Sequence, residues 1–513
     1  MVPPHGEFMR TKSALLASCV ALALAAPVAR GENLLEVYQD AVKSDPLIRE
    51  AEARRMAALE AKPQARGVLF PQLTVGGQAY MGNVDSEGFQ RQFREVTNPE
   101  TGEPSAVAVS VPFSNQTDTD RYWDYDAQLT QTLFRWDQWQ RLKQADSRVA
   151  LAEANYRAAQ QDLMVRVATR YFDVLAADDT LGAAEATLEA VNRQLEQAEK
   201  RFEVGLIAIT DVQEARAAHD SATAGVIAAK RALASAQEYL RELTGEAYLQ
   251  LVKPADSMPL DQPDPFDEQA WVDEAIEQNL SVVAARLGVD IAKSNVKIAQ
   301  AGHMPTLDLY ARYGESDTTA DSLTRVPKEF QDPDIPVQSY PADLNRVDDQ
   351  IGVRLNIPIF SGGVTQSQVR EQTYLHRAER ERLDGSIRSA ERQARDSYLG
   401  VIAEKARVKA LQQAVKSNQT ALEATEAGFE VGTRTTVDVL LARQRLFEAQ
   451  RDYARSRYDY LINVVRLKSA AGVLMPPDLA AINTNLTQPT TLPVVRPAPA
   501  TPPPAPAPKP PGG

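Results

Sequence analysis

Phe429–Leu440 reads FEVGTRTTVDVL, and Phe202–Val212 reads FEVGLIAITDV. Phe, Glu, Val, Gly, Asp and Val recur at the same spacing, 227 positions apart. Each copy interrupts a long helical pattern. Glycine ends a helix by adopting the left-handed conformation. Aspartate starts one by capping free backbone N–H groups at the positive helix end. Each stretch is therefore read as a hairpin tip: Gly205 and Gly432 stop a descending helix, and Asp211 and Asp438 open an ascending one.

The arms lie to either side. Before the tips (202–210 and 429–436), helical patterns cover 136–201 and 364–428. At 1.5 Å per residue, about 65 residues span roughly 100 Å, far beyond an ordinary globular helix. Leu142, Ala145, Val149, Ala152, Tyr156, Ala159 and Leu163 step by three and four, a coiled-coil seam of small residues. Return helices are predicted over 211–244 and 437–471, the second with Val439, Ala442, Leu446, Ala449, Tyr453, Ser456 and Tyr460 in the same steps.

Upstream of each long helix lie two alternating segments, 71–81 with 122–134 and 305–313 with 350–360. In QIGVRLNIPIF, Ile351, Val353, Leu355, Ile357 and Ile359 share one face, and Gln350, Arg354 and Asn356 the other. Tyr125, Ala127, Leu129 and Leu133 do the same, with Gln131 as an imperfection. Such strands suit a barrel between lipid and water, and equally a half-buried soluble hairpin. Polar stretches at 82–121 and 314–348 are predicted as loops, and helices precede the strands at 34–66 and 268–301. The order therefore repeats. Residues 32–250 and 268–474 form two copies of one unit, joined by a linker at 251–267, in a mixed α and β chain. Residues 475–513 are predicted as a Pro-rich disordered tail.

The N-terminus carries an export signal. Met9, Arg10 and Lys12 open it, Ala14 to Ala26 is apolar, and ARG at 29–31 offers the cleavage site, so 1–31 is excluded from the fold. Met9 is a candidate start. Leu16–Cys19 also fits lipoprotein processing, although the apolar run continues past Cys19. Beyond the signal no run is long and apolar enough for a transmembrane helix. A net charge of −13 opposes non-specific nucleic-acid binding. One cysteine and four scattered histidines provide no disulfide, metal cluster or cofactor site, and no constellation of catalytic residues is present.

Four strands cannot close a barrel, and lipid tolerates no open sheet edge. Two chains supply eight strands and three supply twelve. Either way several copies of Asp438 meet around one axis, where a carboxylate ring selects cations and Arg434 is the nearby counter-charge.

The segments VGLIAITDVQEARA, VGTRTTVDVLLARQRLFEAQ, AGHMPTLDL, PIFSGGVTQSQV and ENLLEVYQDAVKSDP closely resemble the TolC family of outer-membrane exit ducts, over about Glu32 to Leu479. The resemblance implies a homotrimer with a shared twelve-stranded barrel in the outer membrane of a Gram-negative bacterium and a helical tunnel through the periplasm. It implies a passive duct for small toxic molecules or secreted proteins, docked on a periplasmic adaptor and an inner-membrane transporter. It also implies gate links at Gln194, Asp211, Phe429 and Arg434. Phe429 departs from the Tyr of the family's best-known member, and Leu441 replaces a second acidic ring beside Asp438. Adaptor contact falls on Val204, Gly205, Leu206, Val431, Gly432 and Thr433. The rival is a periplasmic coiled-coil tether without a pore, which leaves the amphipathic strands unexplained.

Overall fold

The computed structural model describes residues 32–97, 99–100, 102–255, 258–325, 339–341 and 343–493. The predicted signal, including Cys19, and the tail beyond 493 lie outside them.

The chain opens with three helices, α1 (Leu34–Ser44), α2 (Pro46–Leu59) and α3 (Ala61–Gly67), where the sequence predicts one helix over 34–66. Asp45 precedes a proline and is extended, with ψ 122°, which breaks the first junction. Pro63 has no N–H to return to Leu59, which accounts for the second. Asn33 caps α1: its Oδ1 accepts from the N–H groups of Leu35 and Glu36, each at 3.0 Å, and Glu36 accepts back from Asn33 N–H.

Next come β1 (Gln72–Thr97) and β2 (Pro104–Phe134), then the helices α4 (Trp136–Glu203) and α5 (Ile209–Thr244), and the short strand β3 (Gln250–Pro254). The second half holds α6 (Glu268–Gln278), α7 (Leu280–Gln300), β4 (Thr306–Arg325), β5 (Ser339–Pro341), β6 (Leu344–Asn356), α8 (Val364–Glu430) and α9 (Thr436–Ala470). The helix predicted over 268–301 breaks at Asn279, whose Oδ1 accepts from Ser281 N–H at 2.9 Å to start α7. The chain continues with α10 (Pro476–Asn483) and β7 (Leu486–Thr491).

Two sequence-based boundaries are corrected. Much of 82–121 and 314–348 is strand rather than loop: β1, β2 and β4 continue through it, and β6 starts before 350 and stops at Asn356. Ladder hydrogen bonds satisfy the backbone whatever the polarity of the side chains, so apolar alternation marks only part of each strand. Pro358, without an N–H, accounts for the early end of β6. Residues 475–493 are also not a disordered tail. There β7 pairs antiparallel with β3, inside the predicted linker, while Leu479, Ile482, Leu486 and Leu492 are buried.

The chain divides into two compact units. One comprises the described residues within 1–57, 150–288 and 380–513. Its core gathers Leu34, Leu163, Tyr171, Phe172, Leu175, Leu233, Leu251 and Tyr458. Phe172 lies between Tyr171, edge-on at 5.5 Å, and Tyr458, stacked at 5.8 Å. The Tyr171 hydroxyl accepts from Val252 N–H at 3.0 Å and donates to Val252 carbonyl at 2.7 Å, tying β3 to α4.

The other unit comprises 58–149 and 289–379 and carries the large sheet, with neighbours in the order β1–β2–β4–β6 and β5 beside the far end of β4. Register decides its faces. Leu73, Leu129, Ala311 and Ile351 align across the four strands, and Gln131, Leu309 and Val353 align two residues away. Thr74, Gln128, Arg312 and Gln350 form the alternate row. One face is thus apolar and exposed, with Leu73 at 68% and Ile351 at 80%. Gln131 fits this face because its amide donates to the carbonyls of Leu69 and Thr132, each at 2.8 Å. Among the described residues of one chain, β1 and β6 each have an unpaired edge.

Candidate functional site at the helical tips

Both hairpins reverse with the same backbone hydrogen bonds. Gly205 has φ +75° and Gly432 φ +77°. Leu206 N–H reaches Arg201 carbonyl and Gly205 N–H reaches Phe202 carbonyl, both at 2.9 Å. Thr433 N–H reaches Gly428 at 2.8 Å and Gly432 N–H reaches Phe429 at 3.1 Å. This is the six-to-one and five-to-two pairing of a Schellman cap, which requires the left-handed residue that glycine supplies. A side chain added at Gly205 or Gly432 meets nothing within 4 Å. Val204, Leu206 and Val431 are exposed beside them. Thr433 is exposed as well, and its hydroxyl donates to Gly428 carbonyl at 3.0 Å.

The two aspartates both cap but are held differently. Asp438 Oδ2 accepts from Thr435 N–H at 2.9 Å and from the Thr435 hydroxyl at 3.0 Å, while Thr435 Oγ1 accepts from Asp438 N–H at 3.3 Å. These bonds, with Arg434 nearby, hold the Asp438 carboxyl below its ordinary value of 3.8. Asp211 Oδ2 accepts only the longer bond from Ala208 N–H, at 3.3 Å, because an alanine hydroxyl does not exist to add a second.

Within one chain the expected gate residues are partly gathered. Gln194 and Phe429 line one groove of about 560 Å³ between α4 and the second hairpin, with Arg201, Glu426 and Arg443. Leu441, with Leu440 and Phe447, lines a second groove of about 770 Å³ against α4 and α5. Arg434 and Asp211 form no ion pair within the chain among the described residues. Arg434 packs against Gly428, where an added Cβ would stand 2.8 Å from its Cγ.

Several tip residues escaped the sequence reading. Arg216 pairs with Glu199 at 2.9 Å, and Arg443 pairs with Glu426, clipping each hairpin across its arms. The signal was available: each pair spans 17 residues, and the two recur at the 227-residue offset of the tips. Arg201, whose guanidinium lies 5.0 Å over the Phe429 ring, had no such signal. Its counterpart at that offset is Gly428. Among the described residues, no group of three His, Cys, Asp or Glu could hold a metal, and no helix is long and apolar enough to cross a membrane.

The model of the outer membrane efflux protein family matches residues 37–246 and again 271–473. This chain belongs to the outer membrane efflux protein family. It is 37% identical over 477 residues to Outer membrane protein TolC of Escherichia coli, covering 93% of this chain and 89% of that protein. It is 28% identical over 461 residues to Alkaline protease secretion protein AprF of Pseudomonas aeruginosa, covering 88% and 87%. The fold resembles the crystal structures of VceC from Vibrio cholerae, with TM-score 0.62 at 20% identity over 86% of this chain and 96% of that one. It also resembles the CmeC outer-membrane channel of Campylobacter jejuni, with TM-score 0.65 at 17% identity over 89% and 90%. Membership of the family places the protein in the outer membrane.

Proposed function

We propose that this protein is a passive exit duct that works as a homotrimer and carries small toxic molecules, secreted proteins or both out of the cell. The carrying observation is the sheet: one exposed apolar face in register, one polar face and, among the described residues, an open edge at each side. In lipid both edges need partners, and β1 of one copy supplies one for β6 of the next. Three copies supply twelve strands around a polar lumen, in keeping with the family. The twofold match of the family model supports the reading of the chain as two copies of one unit. A pore-free tether needs no such sheet.

At the tips, Asp438 of each copy contributes to a cation-selective ring, and Leu441 adds no second one. Arg434 of one copy and Asp211 of a neighbour form the charged gate link, which agrees with the absence of that pair within a chain. Gln194 and Phe429 complete the gate. Val204, Gly205, Leu206, Val431, Gly432 and Thr433 offer exposed backbone and short side chains to a periplasmic adaptor that couples the duct to an inner-membrane transporter.

Single-channel recording in a planar bilayer tests this reading. Small cation-selective openings that grow in Arg434→Ala are expected. Well-folded trimers that conduct nothing would overturn the duct.

A further inference from the structure

Near their tips the two hairpins of a chain are separate bodies. Ala198, Val212 and Ala215 form one small apolar cluster inside the first, and Leu422, Val439 and Leu446 form another inside the second. Each has its own Arg–Glu clip. Open grooves, rather than a shared core, run between them. Farther from the tips the hairpins are joined firmly: Arg455 pairs with Asp173 at 2.8 Å, the Tyr458 hydroxyl donates to Asp179 at 2.6 Å, and both arms enter the main core. Position 179 is 26 residues from Gly205, so on the order of 40 Å of α4 lies beyond these joints.

Among the described residues, a cation–π contact crosses between the tips themselves. Arg201, in the last turn of α4, lies over the ring of Phe429, in the last turn of α8. Among the described residues Arg201 has no carboxylate partner, so the ring face is where its charge is met. A guanidinium over an aromatic face is attracted by the ring quadrupole, and needs no hydroxyl from the ring. The backbone at both ends is fixed by the Schellman caps, whose six-to-one and five-to-two bonds end on the carbonyls of Arg201 and Phe429 themselves.

We propose that Arg201 is a latch residue: its cation–π contact with Phe429 holds the two hairpins of each chain together at the tip in the closed duct. This rests on the duct reading above and adds to it a residue and a type of link. The link is within a chain, so it acts alongside an Arg434–Asp211 link between chains. It also accounts for a gate that works without a hydroxyl at position 429.

The test compares Arg201→Ala, Phe429→Leu and Phe429→Tyr with the intact protein. Leu keeps the apolar bulk and removes the quadrupole, and Tyr keeps both. Single-channel conductance is one readout. The other is the spin-label distance between Val204→Cys and Val431→Cys in detergent-solubilised protein, with labelled chain diluted in unlabelled. Arg201→Ala and Phe429→Leu are expected to raise conductance and to broaden the distance distribution toward longer values, with Phe429→Tyr close to the intact protein. A contact of this exposed kind shifts the latched-to-unlatched ratio about two- to fivefold per copy. If Arg201→Ala or Phe429→Leu leaves both readouts unchanged, or if Phe429→Tyr behaves as Phe429→Leu does, the latch is wrong. If the intact protein conducts nothing, the duct reading fails, and the distance measurement still decides the latch.

Discussion

In the proposed duct, Asp438 serves folding and function with one side chain. Its Oδ2 caps α9 through Thr435, and the proposed ring uses the charge of the same carboxylate. The capping bonds favour the charged form and lower its pKa below 3.8. For a depressed acid, the charge and the capping it supports are fully present above the ordinary value and are lost as pH falls through the lower, folded value. Cation selectivity should therefore hold from pH 7 down through the ordinary aspartate range and decline only below it. Reversal potentials recorded against pH check this, and Thr435→Val should move the decline upward. Asp438→Ala should abolish blockade by trivalent cations, whereas blockade that survives the substitution would remove Asp438 from the constriction. The Gly–Asp pattern was legible because backbone geometry and capping demand particular residue types. The Arg201–Phe429 contact was not, because nothing local requires an arginine 228 positions before the ring it meets.

At the scale of elements, glycines that look alike in sequence have different surroundings. Gly205 and Gly472 both have positive φ, +75° and +79°. A Cβ at Gly205 meets nothing, so Gly205→Ala should cost only the left-handed strain, about 1–2 kcal/mol. A Cβ at Gly472 would stand 2.2 Å from the carbonyl oxygen of Gln278, a backbone atom that cannot step aside. Gly472→Ala should therefore lower the thermal midpoint clearly more than Gly205→Ala, measured by circular dichroism on purified protein. In the core, Phe172→Ala removes a fully buried ring held between two tyrosines and should cost about 3–5 kcal/mol. The long helices were legible from their steps of three and four. The breaks at Asp45 and Asn279 have local signals, in Pro46 and in the cap that Asn279 gives Ser281, and each is also held by a distant partner that no local pattern shows. Asp45 meets Arg166 at 2.8 Å, and Asn279 donates to Ala470 carbonyl at 2.8 Å.

For the whole molecule, the sheet faces make the sharpest claim. Ile351 stands in the apolar row and Gln350 in the polar one. If the apolar row faces lipid, Ile351→Arg should cost about 2–4 kcal/mol near the bilayer midplane, while Gln350→Arg in the lumen should cost little. Folding yields into lipid vesicles separate the two. Equal effects would mean that the sheet does not divide lipid from water.

The mixed α and β class, the hairpin tips and the alternating stretches of the sheet could all be read from the residues alone. Each of these is written in local periodicity and in residues that a particular backbone shape demands. The folded chain was needed to show how far the strands continue through polar sequence, that 475–493 folds back onto β3, and that Arg201 meets Phe429. Ladder pairing satisfies any backbone regardless of side chain, and contacts between distant segments depend on where the whole fold delivers them, which no local pattern encodes.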